Sequence, residues 1–269
     1  MKQLFLAGIL FMLTNIVCYA ENDLGIKEPL KQGGYYVGNV SPGDKVTFQG
    51  ETIKTDPDGY FVIGLDWQYK KVANIRVDHK SGGFTMYHLD VEPHDYEVEE
   101  ITGLPPKYVA PPKDVQDRIA KDAADVRAAR ETDSNLENFR EQMIWPVKGR
   151  ISGRFGSHRV LNGEPRSPHT GLDIAPGQGA LIVAPLGGKV TLVSDQYLTG
   201  NTMIIDHGHG LSSVYAHMEK TMVKQGDMVK QGDPIGTVGM SGRATGPHLH
   251  WGMNWFKVRL NAGVAIGIE

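Results

Sequence analysis

The chain has 269 residues, 40% of them hydrophobic and 22% charged, with a formal net charge of −3. That length accommodates two modest domains, and the ordinary apolar and charged shares exclude a disordered, collagen-like or multi-span membrane chain. Charge is uneven: residues 21–143 carry 15 Lys and Arg against 23 Asp and Glu, residues 144–269 carry 12 against 8. The C-terminal half therefore favours an anionic partner, while the lack of a Lys/Arg cluster interleaved with aromatics argues against nucleic acid.

Residues 1–20 read as a secretory signal peptide. Lys2 precedes an apolar run over residues 4–17, and Ala20 ends it before Glu21. The run is short for a membrane-spanning helix, and the small residue at its end fits a cleavage site. The single cysteine, Cys18, follows Val17 rather than a small residue, so lipidation is not expected. Cleavage after Ala20 leaves a periplasmic chain without cysteine, which excludes disulfides, a thiol nucleophile and a Cys-based zinc cluster.

Residues 28–103 read as an immunoglobulin-like β domain. Short runs rich in β-formers, at 45–48, 60–63, 74–77 and 84–87, alternate with the turn sequences Pro42-Gly43-Asp44, Asp56-Pro57-Asp58-Gly59 and Ser81-Gly82-Gly83. Such spacing predicts a small antiparallel sandwich. His79, His88 and His94 have no ligand spacing and are expected to be ordinary packing or surface residues.

Residues 104–143 read as a proline-rich connector and a helix. Pro105, Pro106, Pro111 and Pro112 stiffen the connector and forbid regular structure. Asp114 is the expected N-cap, and Val115, Ile119, Ala123, Val126 and Ala129 form one apolar stripe at helical spacing. Asp114 with Arg118, and Asp117 with Lys121, are i,i+4 pairs in the favourable order. Asp133-Ser134-Asn135 breaks the pattern, and Leu136, Phe139 and Met143 continue a shorter stripe.

Residues 144–269 are rich in Gly, Val and Thr and lack a helical period, which predicts an antiparallel all-β domain and makes the whole chain mainly β. Seven of the ten histidines fall between His158 and His250. In Pro168-His169-Thr170-Gly171-Leu172-Asp173, residues 169 and 173 on a straight strand would lie roughly 13 Å apart. That is too far to share an ion whose ligand bonds are about 2 Å, so a bend at Gly171 is required. In Gly246-Pro247-His248-Leu249-His250, the two histidines point to one face of a strand. Spacing alone leaves open whether both bind a metal or one works on water. His217, in Tyr215-Ala216-His217-Met218, means little by itself. His207 and His209 sit in a turn-like string and are expected to be structural; His158 has no partner spacing.

Together, His169-Thr170-Gly171-Leu172-Asp173-Ile174-Ala175, Tyr215-Ala216-His217-Met218 and Thr245-Gly246-Pro247-His248-Leu249-His250-Trp251 resemble the motifs of the lysostaphin/LytM-type zinc metallopeptidases, in order and separation, over residues 145–259. The resemblance implies that His169, Asp173 and His250 bind Zn2+ and that His217 and His248 are catalytic. It implies an endopeptidase of peptidoglycan, cutting cross-links or stem peptides by attack of a zinc-activated water on the scissile carbonyl. Met218 stands where leucine is more usual, a volume-conserving change. With no His-Glu-x-x-His helix, a neutral histidine must take the water proton; His248 is expected in that role and His217 as oxyanion partner. The preceding β module, connector and helix resemble an arrangement of exported proteobacterial members.

The alternative reading is a non-catalytic cell-wall-binding regulator of other wall hydrolases, disfavoured because all five chemical positions are filled. A biotinyl- or lipoyl-type carrier domain is disfavoured because the Gly-Asp stretch around 226–233 lacks the lysine setting that such carriers need. The opposite charges of the two halves also suggest an intramolecular contact of the N-terminal region with the catalytic domain.

Overall fold

The computed structural model describes residues 22–96, 98–101, 112–161, 164–165 and 167–268. The expected signal peptide and most of the proline connector lie outside these residues. Among the described residues no helix is long and apolar enough to cross a membrane.

The N-terminal part holds β1 (Leu30–Lys31), β2 (Tyr35–Asn39), β3 (Lys45–Phe48), β4 (Glu51–Ile53), β5 (Tyr60–Gly64), β6 (Val72–Asp78), β7 (Phe84–Glu92) and β8 (Val98–Ile101). All four runs expected from sequence are strands. They divide unequally: one sheet runs β1-β7-β6-β3-β4, while β2 pairs only with β5. Period-2 patterning sends Ala73, Ile75 and Val77 of β6 and Tyr87, Leu89 and Val91 of β7 into the core. The turn before β5 is built by Asp56, whose Oδ1 accepts from the amides of Asp58 and Tyr60. Gly59 in it has φ +88, and a Cβ there would sit on the Val40 carbonyl oxygen, so only glycine fits.

The helix after the connector departs from expectation at its start. Lys113–Val115 form a 3-10 turn, and α1 (Gln116–Arg130) begins beyond it with Val115 as N-cap and no side-chain cap. Asp114 therefore lies inside the tight turn, one residue too early to cap α1. The ion pairs shift likewise: Arg118 meets Asp122 at 3.9 Å and Lys121 meets Asp125 at 2.5 Å. Of the predicted stripe only Ala129 is buried, with Val126 packed beside it, because α1 rests on the sheet through its C-terminal half. Phe139 and Met143 are buried as expected, in a 3-10 turn and an extended segment rather than a helix.

The C-terminal part contains β9 (Arg150–Gly153), β10 (His158–Leu161), β11 (Glu164–Pro165), β12 (Leu172–Ala175), β13 (Leu181–Val183), β14 (Gly188–Gln196), β15 (Gly200–Gly208), β16 (Leu211–Thr221), β17 (Met228–Val229), β18 (Pro234–Val238), β19 (Leu249–Trp255) and β20 (Val258–Leu260), then the short α2 (Ala262–Ala265). The spine of its main sheet is β17-β14-β15-β16-β19-β12-β9, with β18 on β16, β13 on β18 and β20 on β19. Every pairing in this sheet is antiparallel.

Register places three successive cross-strand rows on one face. The first is Asp173–His250–Ala216, the second Leu192–Ile204–Val214–Gly252 and the third Asp206–Ser212–Asn254–Arg259. Ala129 of α1 packs on the apolar second row. The opposite face supplies Tyr215, Trp251, Met253 and Trp255 to a core shared with the N-terminal strands. Phe48 meets Trp255 at a 6.1 Å ring separation, and the Asn261 amide donates to Gly33 at 2.7 Å. β8 also runs parallel to β10.

Candidate metal centre

Strand register brings the two distant motifs together. Asp173 on β12 and His250 on β19 are direct cross-strand partners, so their side chains emerge on one face within reach of each other. His169 lies before β12, and the chain bends at Gly171, where sequence reasoning required it. Gly171 has a second role: a Cβ there would lie 2.8 Å from the His250 ring and 2.7 Å from the Trp251 carbonyl oxygen.

The three ligand candidates form a tight triangle. Asp173 Oδ1 is 3.0 Å from His169 Nε2 and 2.8 Å from His250 Nδ1, and those two nitrogens are 3.0 Å apart. His169 and Asp173 are buried, and His250 is half-buried. The other ring nitrogen of His169, Nδ1, lies 2.8 Å from the Arg154 carbonyl. A carbonyl only accepts, so Nδ1 carries the proton and Nε2 offers a lone pair to the triangle. Burial opposes the charge of Asp173, but the adjoining His169 and His250 imidazoles outweigh it and hold the carboxyl well below the usual range. Convergence of imidazole lone pairs on a carboxylate oxygen calls for a cation between them. Two imidazoles and one carboxylate suit zinc in particular.

His217 and His248 flank this triangle. Their rings are 4.8 Å apart, His217 is 6.2 Å from the His250 ring, and His248 Nε2 is 4.0 Å from Asp173 Oδ1. His248 donates from Nδ1 to the Gly246 carbonyl at 2.8 Å, and His217 from Nδ1 to the Ser241 carbonyl at 2.8 Å. Burial first, then the neighbouring His248 and His250, push the His217 imidazole down to about 3, so it is neutral. His217 sits at φ +59 beside a register shift in the β15–β16 pairing. The irregularity aims its ring at the cleft.

The structure thus brings together His169, Asp173, His217, His248 and His250 and leaves the other six histidines outside. His207 is fully buried between the Gly187 carbonyl and Ser213. His209 packs on Phe139, His79 bridges Asp44 and Thr85, and His158 lies against Trp67. Sequence reasoning missed the carbonyls of Arg154, Ser241 and Gly246, which fix the ring tautomers. A carbonyl is common to every residue type and leaves no compositional signal. It also missed Ser241 and Asn201 as braces. Ser241 Oγ donates to the Met218 carbonyl at 2.8 Å, and Asn201 Nδ2 reaches the same atom at 3.1 Å. The only hint was the glycine texture around them.

An antiparallel sheet carrying a His, Asp, His triangle in an open cleft, with two further imidazoles over it, defines a domain of metallopeptidase type. The family model described as Peptidase family M23 matches residues 167–262. Over 84 residues the chain is 40% identical to the peptidoglycan DD-endopeptidase ShyB of Vibrio cholerae, a match covering 31% of this chain and 20% of that protein. Over 107 residues it is 39% identical to the DD-carboxypeptidase/endopeptidase Mpg of Neisseria meningitidis serogroup B, covering 39% of this chain and 24% of that one. The chain thus spans about a quarter or less of the length of these curated relatives. A crystal structure from Pseudomonas aeruginosa described as a peptidase M23 superposes with a TM-score of 0.68 at 28% identity, covering 90% of this chain and 97% of that one. Its extent takes in the N-terminal strands and α1 as well as the peptidase domain.

Proposed function

We propose that this chain is an exported, periplasmic zinc endopeptidase that hydrolyses peptide bonds of peptidoglycan, with His169, Asp173 and His250 as metal ligands and His217 and His248 as catalytic groups. The observation that carries the reading is the triangle of donor atoms beneath two further imidazoles, in a domain whose relatives include named peptidoglycan endopeptidases.

Zinc would be held by His169 Nε2, Asp173 Oδ1 and His250 Nδ1, and when bound it supplies Lewis acidity toward water and a carbonyl. The Arg154 carbonyl fixes the His169 tautomer so that its lone pair faces inward. His248 keeps its proton on Nδ1 against Gly246, which leaves Nε2 able to accept a proton from attacking water. The Asp173 carboxylate, 4.0 Å away, favours the imidazolium so formed. His217 has the same tautomer and lies deeper, so it is placed to hold the developing oxyanion through Nε2 once that nitrogen takes up a proton from solvent. Among peptidoglycan bonds the D-alanyl to meso-diaminopimelate cross-link is favoured. The domain division of this reading is an immunoglobulin-like β domain over 28–103, a connector and helix over 104–143 and the peptidase over 144–269.

The test is hydrolysis of defined muropeptides by the purified chain, read by mass spectrometry with and without a chelator. Zinc-dependent release of cross-linked products is expected. A chain that binds wall material but releases nothing would instead favour the non-catalytic regulator.

A further inference from the structure

A second cluster, in the third row of the sheet face and away from the metal triangle, has polar atoms that nothing in the fold satisfies. Asn254 is fully buried, and its Oδ1 accepts from Arg130 at 3.3 Å and from Arg259 at 3.0 Å. Two arginines on one oxygen fix the orientation of the amide, so Nδ2 is a donor without an acceptor. Among the described residues, Asn254 Nδ2 and Arg130 Nε are both buried without a hydrogen-bond partner. Arg130 is only 9% exposed. An unpaired buried donor costs about 1–3 kcal/mol, and more when it is charged, so the arrangement lacks an anion.

The arginines line a cavity of about 360 Å³ between α1 and the β14–β15 turn, together with Arg127. One wall is apolar, made by Ile119, Val126 and Leu198. Of the row itself, Asp206 Oδ2 and Ser212 Oγ are also buried without a hydrogen-bond partner, but neither lines the cavity; the carboxylates beside the cavity are engaged elsewhere. Asp122 accepts from the Tyr197 amide at 2.7 Å and faces Arg118, while Glu131 pairs with Lys257 at 3.7 Å. Burial pushes the Arg259 guanidinium down to about 10, and Arg130 beside it adds to the fall. Both arginines still carry charge at neutral pH. Basic residues in a helix's last turn commonly complement its dipole, and the exposed Arg127 can do so. Arg130 instead points its guanidinium under the helix, where Asn254 takes Nη1 and Nε is left without an acceptor.

We propose that this cavity binds a small organic carboxylate, its oxygens on the Arg130 and Arg259 guanidiniums and its apolar body against Ile119, Val126 and Leu198. Planar guanidinium forks match carboxylate geometry, and the apolar wall selects a ligand with a short hydrocarbon part over a bare inorganic ion. The ligand is a free carboxylate or the C-terminus of a peptide. The site lies two rows from His250 along β19, roughly 13 Å by strand rise. The Thr199 segment that lines it accepts the His217 amide at 2.9 Å. The inference does not depend on hydrolytic activity.

The full chain is titrated with isobutyrate and with isobutyramide at constant ionic strength in chloride, following the thermal unfolding midpoint and calorimetric heat. Isobutyrate should raise the midpoint saturably and isobutyramide should not. Arg130→Gln should weaken isobutyrate binding by at least roughly tenfold. Arg127→Gln, at an exposed position that does not threaten folding, should weaken it by a smaller factor. Competition by a dipeptide with a free C-terminus, and not by its amide, assigns the ligand to peptide ends; failure to compete assigns it to a free carboxylate, and either supports the site. An equal rise with isobutyramide or chloride, or unchanged affinity in both variants, would overturn it.

Discussion

His250 Nδ1 lies 2.8 Å from Asp173 Oδ1, and these residues, 77 positions apart, are direct cross-strand partners on β19 and β12. The sheet register therefore builds the metal triangle. Replacing either residue removes both a donor and the cross-strand contact. His250→Ala is expected to lower zinc content and hydrolysis by more than the 10–100-fold typical of losing an outer partner. Zinc analysis beside a muropeptide assay checks this, and retained hydrolysis would sink the ligand assignment.

Gly171→Ala tests the close approach at the bend. The added methyl would meet the His250 ring at 2.8 Å and the Trp251 carbonyl at 2.7 Å. Overpacking of this kind costs about 1–3 kcal/mol, and the ring must move. Lower thermal stability together with weaker zinc affinity is expected. A variant with wild-type affinity would show that the bend alone matters.

The two flanking histidines should separate kinetically. His248→Gln, which cannot take the proton, should lower kcat by about 10²–10⁴-fold while zinc content stays near one per chain. His217→Gln retains an amide donor toward the oxyanion and should lose less. The reverse ranking would exchange their roles.

His207 gives a pH dependence separate from the metal centre. Burial pushes its imidazole down to about 4 from 6.5, against the partial support of the Gly187 carbonyl. The unfolded chain therefore binds more protons between pH 6.5 and 4, so the stability from the neutral buried ring is complete above pH 6.5 and lost as pH falls through that window. The swing is about 3 kcal/mol. Urea unfolding from pH 7 to 4 should show this slope, and His207→Gln should flatten it.

Residue order alone fixed the strand-forming runs, the need for a bend between His169 and Asp173, and the common face of His248 and His250. Each follows from local periodicity or chain reach. The helix start was misread because a 3-10 turn took Asp114 out of the capping position, and short-range signals do not separate the two turn types. Likewise the predicted pairs Asp114–Arg118 and Asp117–Lys121 gave way to Arg118–Asp122 and Lys121–Asp125 once α1 docked on the sheet.

Only the tertiary structure decided which atom of each histidine faces the centre, because that choice depends on carbonyls brought in by distant loops. It also turned His217 into the cleft through an irregular, positive-φ position on β16. Arg130 appears in sequence as an ordinary basic residue in a helix's last turn. Packing against Asn254 and Arg259 made it a buried charge beside a cavity, because burial is set by what the fold lays over a residue and not by the residue itself.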